Sequence, residues 1–327
     1  MRRVFFAGWL SLSLLISYSF AQEPETLSEV LRRDGLSVSA LAISNARSAI
    51  SSYSTLNDDQ EFVIAYYLVD PSDRNRLRPP LMVARLQKNS GKWSQASIQG
   101  AQVDALGRRA ELKSDCLGSV LQIQRHDDLY FLDLHLNPSA GCILILNHNL
   151  TPHRTLGGST EAFFKSGPMV YLGNMVHFAP IHPEKVFLYD LKTDRSNQIY
   201  PQADDPFRRE FSARLSKVID QTKCRENNWP CDPQEFESSI AAPIEVNDET
   251  HSLGFKIKFS PAGFVSREDA EKNDQWTRNQ YVYIYQVTPM RWQEFSADDL
   301  KRKFGTNSVK ELLTQDKLRQ VFACSAQ

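Results

Sequence analysis

A dense run of positive charge is missing from this sequence, and so is any sizeable net charge. Thirty-eight lysines and arginines stand against 39 aspartates and glutamates, a formal −1. Nucleic-acid binders carry a basic face and peripheral membrane proteins a polybasic segment, so neither partner is expected. The phosphate-binding patterns GxxxxGK[ST] and GxGxxG are also absent. Gly157-Gly158-Ser159 is too short and lacks a following lysine. There is no GxSxG nucleophile elbow, and Ser166-Gly167 reads as a plain turn. There is no HExxH frame. His148 and His153 are five apart, as are His177 and His182, and on a strand that spacing points two side chains to opposite faces. His126-Asp127-Asp128 lacks the alternating acids and the glycine of a calcium loop and reads as a hairpin turn. No metal and no organic cofactor is implied.

Long apolar runs are missing everywhere but the beginning. Arg2 and Arg3 precede an apolar stretch, Val4 to Leu15, broken only by glycine and serines. Ser19 and Ala21 then place small residues at −3 and −1 of a cleavage site before Gln22. The stretch is shorter than the roughly 20 residues of a membrane span. Residues 1–21 are therefore expected to be a secretory signal peptide, and no cysteine follows it to mark a lipoprotein. Its removal takes Arg2 and Arg3, so the formal charge goes from −1 to −3. The remaining chain, 22–327, is expected to be secreted or periplasmic, not membrane-spanning, and a single mainly-β domain.

Cysteines are few, five in all. In an oxidising compartment an odd number leaves one over. Cys224 and Cys231 bracket a polar, turn-prone loop that a local disulfide can staple. Cys116 and Cys142 sit at the edges of neighbouring apolar strands and form the next candidate pair. Cys324 is left as a free or intermolecular thiol. No CxxC occurs, and no histidine lies close to Cys224 or Cys231, so disulfide is the reading over metal.

What is present is β-type patterning. With 41% hydrophobic and 10% aromatic residues a large core can be buried. Thr26 with Glu29 forms a capping box for a short helix over Leu27 to Arg33, stopped by Gly35. Strands follow at Glu61 to Val69, Leu81 to Leu86, Trp93 to Ile98, Gly118 to Gln124, Leu129 to Leu136 and Cys142 to Leu146. More lie at Met169 to Leu172, Met175 to Phe178 (across a Gly173-Asn174 turn) and Val186 to Leu191. A strand–turn–strand unit recurs at Leu81 to Ile98, Ile143 to Leu156, Val186 to Tyr200 and Tyr281 to Phe295. This predicts a propeller-like array of antiparallel hairpins or blades, with a β-sandwich as the alternative.

Between the last two units Phe207, Phe211, Leu215 and Val218 lie at helical spacing, capped by Asp204-Asp205. This predicts a helix over Pro206 to Thr222. With the cysteine loop it makes an insertion at about 204–245. Strands resume at Ser252 to Phe259 and Gln280 to Val287. The chain ends in helices, Ala297 to Phe304 capped by Ser296 and stopped by Gly305, then Val309 to Phe322 from Ser308. On Cys224-Arg225-Glu226-Asn227-Asn228-Trp229-Pro230-Cys231-Asp232-Pro233 and the Val246-Asn247-Asp248 to Ser252-Leu253 strand, the chain resembles a set of uncharacterised exported bacterial proteins. These have blade-like β segments followed by a helix and a CxENNxPCDP loop. The resemblance covers roughly Val186 to Phe304 and implies shared architecture and export, with no activity attached.

Site residues are sparsely signalled. Tyr281, Tyr283 and Tyr285 alternate on one strand and share a face, a possible platform for carbohydrate or peptide if solvent-facing and a core tyrosine layer otherwise. Asp190, Asp194, Glu161 and Glu245 are conceivable carboxylates for glycoside cleavage, and none is distinguished. The first functional reading is a non-enzymatic binding or scaffold protein of the cell envelope, taking an envelope protein or small ligand through its blade loops. The second is an envelope hydrolase acting on carbohydrate or peptide.

Overall fold

Thr26 and Glu29 satisfy one another at the head of the first helix. The Glu29 carboxylate accepts from the Thr26 backbone N–H at 2.7 Å, while the Thr26 hydroxyl accepts from the Glu29 N–H at 3.3 Å. Helix α1 accordingly spans Leu27–Arg33, and Gly35, at φ 78°, turns the chain out of it. The computed structural model describes residues 26–36, 49–68, 81–90, 92–98, 118–137, 140–173, 185–202, 209, 213, 237–240, 243–260 and 280–323. The expected signal peptide, the Met175 to Phe178 strand and most of the Pro206 to Thr222 helix lie outside the described residues. So do Cys116, Cys224, Cys231 and Cys324.

The β elements form antiparallel meanders. The first sheet runs β1 (Ile50–Asn57), β2 (Glu61–Leu68), β3 (Leu81–Asn89), β4 (Lys92–Ile98). The second runs β5 (Ser119–His126), β6 (Leu129–Asn137), β7 (Ala140–Asn147) and the first half of β8 (Pro152–Phe163). The second half of β8 leaves β7 and pairs instead with β9 (Met169–Gly173), then β10 (Val186–Asp190) and β11 (Arg195–Tyr200), as a third sheet. The fourth sheet orders β12 (Glu237–Ile240), β14 (Ser252–Ser260), β15 (Gln280–Gln286) and β16 (Arg291–Ser296), with β13 (Glu245–Asn247) also on β14. Each recurrent unit in the sequence is the closing hairpin of one sheet: β3–β4, β7–β8, β10–β11 and β15–β16.

The sheets pack face to face in sequence order. Val63, Ala65 and Val83 of the first meet Leu132, Leu134 and Leu144 of the second. On the other face of the second sheet, Phe131, Ile143 and Ile145 meet Met169, Tyr171 and Tyr189 of the third. Val170, Val186 and Leu188 then meet Leu253, Phe255 and Tyr283 of the fourth. Every sheet is thus buried on both faces, which is why β2, β3 and β7 read as near-continuous apolar runs without polar alternation. A two-layer sandwich is overturned by these successive interfaces.

The two ends of the stack are closed by helices. Leu27, Val30 and Leu31 of α1 cover Phe62, Ile64 and Met82 of the first sheet. Each such side chain contributes about 1.5–3 kcal/mol on full burial. At the far end α2 (Ala297–Phe304), α3 (Val309–Leu312) and α4 (Gln315–Ala323) cover Val282 and Ile284. The array is propeller-like but open, because helices occupy the faces through which a ring would close. The last helix differs from the sequence reading. At Leu313 and Thr314 the chain breaks, and the Thr314 hydroxyl donates back to the Glu311 carbonyl at 2.8 Å, dividing one expected helix into α3 and α4.

Strand β8 turns its corner at Gly158, whose φ is 143° and whose Cβ, were there one, would sit 1.9 Å from the Leu172 carbonyl oxygen. Beside the corner, Asp133 of β6 is buried and fastens the second sheet to the third. Its carboxylate accepts from the Thr160 N–H at 3.0 Å and hydroxyl at 2.8 Å, and from Gln122 at 2.5 Å. Burial pushes the Asp133 carboxyl above its ordinary value, and the bonds from Gln122 and Thr160 only partly offset this. A carboxyl with a raised folded pKa takes up a proton on folding. Its contribution is therefore fully present below the unfolded value near 3.8 and lost as pH rises through the folded pKa. The variant Asp133→Asn keeps the acceptor without the charge. Its urea midpoint is expected to gain on the wild type from about pH 4 upward, whereas a pH-independent difference would refute the linkage.

Candidate functional site

Turns from three of the sheets converge around a cavity of about 550 Å³. The β5–β6 turn supplies Asp127 and the β8–β9 turn supplies Ser166, Gly167 and Pro168. Strand β10 and its turn supply Leu188, Asp190, Leu191 and Lys192; β11 adds Asn197; the β15–β16 hairpin adds Tyr285, Val287 and Met290. The floor is apolar and the rim polar. Both walls are tied down: the Lys165 N–H donates to Asp248 of the fourth sheet at 2.6 Å, and the Val287 N–H donates to the His251 carbonyl at 2.8 Å. Met290 stands at the mouth 68% exposed, at a φ of 63°. Such exposure is unusual for a large apolar side chain among the described residues.

Asp190 turns the β10–β11 hairpin. Its carboxylate accepts from the Lys192 N–H at 2.9 Å and the Thr193 N–H at 3.3 Å. Burial alone raises its pKa. The bonds from Lys192 and Thr193, with the Lys192 charge, outweigh that and hold the carboxyl below its ordinary value. Asp194 closes the same turn outside the cavity. It accepts from the Tyr189 hydroxyl and pairs with Arg154 at 2.8 Å. The Tyr189 bond, then that of Arg154, lowers its pKa against burial. Both carboxylates accept hydrogen bonds that shape the turn.

A second polar cluster lies between the first and second sheets. Glu61, buried on β2, pairs with Arg85 of β3 and with Arg125 of β5 at 3.1 Å, and accepts from the Tyr130 hydroxyl at 2.6 Å. Arg85 also donates to the His148 carbonyl at 3.0 Å. Burial, reinforced by the hydrogen bond to Glu61 and its charge, pushes the Tyr130 hydroxyl up. Every group here is engaged by another strand or turn, so the cluster joins the two sheets.

Of the two readings of the tyrosine strand, the structure has the core layer and not the solvent-facing platform. Tyr283 and Tyr285 are buried, and Tyr281 packs beside them, because the third sheet covers that face. The Tyr283 hydroxyl donates to the Ile199 carbonyl at 2.6 Å, consuming the polar tip. Only Tyr285 reaches the cavity wall. His126-Asp127-Asp128 is the expected hairpin turn, with His126 stacked on Phe163 at 4.8 Å. Gly157-Gly158-Ser159 is the corner of β8. Glu161 is an exposed strand residue near Ser159, and Glu245 lies on β13. His177 and His182 lie outside the described residues. Cys142 is buried. Among the described residues no three of His, Cys, Asp and Glu gather as a metal site, and no helix is long and apolar enough to cross a membrane. Sequence reasoning missed the cavity, since its lining comes from short separate turns with no shared motif.

No family model matches the chain, and comparison with curated proteins finds no match. Among solved structures, similarity is found to the GH43_1 enzyme from Xanthomonas citri, solved in complex with xylose. Identity is 7% and the TM-score 0.27, over 76% of this chain and 87% of that one.

Proposed function

We propose that this chain is an exported, non-catalytic binding protein that takes a small ligand into the cavity between the third and fourth sheets. The observation carrying this reading is the cavity itself: about 550 Å³, an apolar floor, a polar rim and walls pinned by hydrogen bonds. That volume suits small-molecule sites, which run to about 300–1,000 Å³. Hydrolysis of a glycoside calls for a carboxyl held protonated beside a second, ionised one. Asp190 is shifted the opposite way, and the carboxyl raised among the described residues, Asp133, is sealed between sheets. Export rests on the leader at 1–21, and with it go the disulfides Cys224–Cys231 and Cys116–Cys142.

The reading is tested with methyl-labelled methionine and a fragment library. Hits are expected to shift the Met290 methyl signal, and Asn197→Trp, placed on an exposed edge position, is expected to abolish those shifts without changing the melting temperature. A library that leaves Met290 unmoved, or moves it equally in the tryptophan variant, rejects the cavity as the binding site.

A further inference from the structure

We infer that the cavity selects an amphipathic cation, an apolar body carrying an ammonium group. This inference rests on the binding reading above and adds the ligand class to it. The charged lining residues are Asp127, Asp190 and Lys192, a surplus of one negative charge. Asp190 stays ionised because the Lys192 and Thr193 N–H groups hold its carboxylate. The floor beneath them, Leu188, Tyr285 and Val287, offers apolar surface, and Met290 adds a thioether at the mouth. Tyr285 is only 5% exposed, so it presents no open ring face of the kind on which a sugar stacks. A wholly polar ligand would leave this apolar surface uncovered, and an anion would meet the two carboxylates. A cation with an apolar body buries the floor, covers Met290 and meets the rim with opposite charge. Methionine suits the role, being flexible and polarisable at a surface that must mould to its ligand.

Three probes sharing one indole ring separate charge from apolar fit: tryptamine, 3-methylindole and indole-3-propionate. Titration calorimetry at low salt is expected to give tryptamine at least about tenfold tighter than the other two, since close charges couple strongly at a partly desolvated rim. Asp190→Asn keeps the turn, because the amide oxygen accepts the same N–H bonds, and removes only the charge. Asp127→Asn is tolerated at its φ of 51°. Each substitution is expected to weaken tryptamine at least about threefold while leaving 3-methylindole unchanged. Equal binding of all three probes with Met290 shifted overturns the charge selection and leaves the binding reading standing. Tighter binding of the propionate also overturns it, assigning control to Lys192. If no probe binds while library fragments still shift Met290, the cationic class is rejected. If neither probes nor fragments shift it, the binding reading itself falls.

Discussion

Replacing Glu61 by alanine is expected to cost about 3–5 kcal/mol of folding stability, because it leaves Arg85 buried without its counter-charge. Arg85 lies between two sheets with a side chain 8% exposed, and Glu61 is 5% exposed. Burying a charge is tolerated only when a partner and hydrogen bonds replace water. Here the replacements are Glu61 and the His148 carbonyl, and Glu61 in turn serves Arg125 and Tyr130. Removing one carboxylate strands several groups at once. The double variant Glu61→Leu/Arg85→Leu is expected to recover part of the loss, since apolar replacement of both partners removes the uncompensated charge. Urea unfolding of Glu61→Leu, Arg85→Leu and the double variant gives the coupling. A Glu61→Ala cost under about 1 kcal/mol, or additive losses in the double variant, would show that the pair is not what joins the sheets.

Gly158→Ala is expected to be at least as severe, about 4 kcal/mol or a failure to fold. The added Cβ would lie 1.9 Å from the Leu172 oxygen and 2.9 Å from its carbonyl carbon. Both are backbone atoms, so no side-chain rotation relieves the contact, and β8 must leave its register with β9. Gly35→Ala is the control. It also has a positive φ, 78°, but nothing stands within 4 Å, so only the local conformational cost of about 1–2 kcal/mol applies. Chemical denaturation of both variants separates corner geometry from backbone preference. If they lose equal stability, the corner at Gly158 adapts and does not fix the angle between the second and third sheets.

The local elements were legible because their causes are local. A capping box names its helix in four residues, and Ser296 and Gly305 bracket α2 in the same way. Each sheet closes with a hairpin of adjacent strands, so the recurrence from Leu81 to Phe295 marked the four sheets. Strand β1 was missed because ISSYSTLN is polar and lies at an edge, where one partner suffices. The break at Thr314 was missed because the apolar spacing continues across it: Val309 and Leu312 precede it, and Leu318 and Val321 follow.

The site was harder to read for a physical reason. Period-two alternation placed Tyr281, Tyr283 and Tyr285 on one face, but whether that face meets water depends on the third sheet lying over it. Gly157-Gly158-Ser159 has the composition of a phosphate loop and the job of a corner, and only the 1.9 Å approach of Leu172 tells them apart.

What the sequence by itself determined is the β class, the near-neutral charge, the helix caps and the hairpin units, all set by neighbours within a few residues. Tertiary structure alone decided the open stack with helices at its ends, the burial of Glu61 and Asp133, and the cavity. These depend on surfaces meeting across long stretches of chain. A turn contributes one or two side chains to such a surface, too few to leave a period or a motif in the sequence.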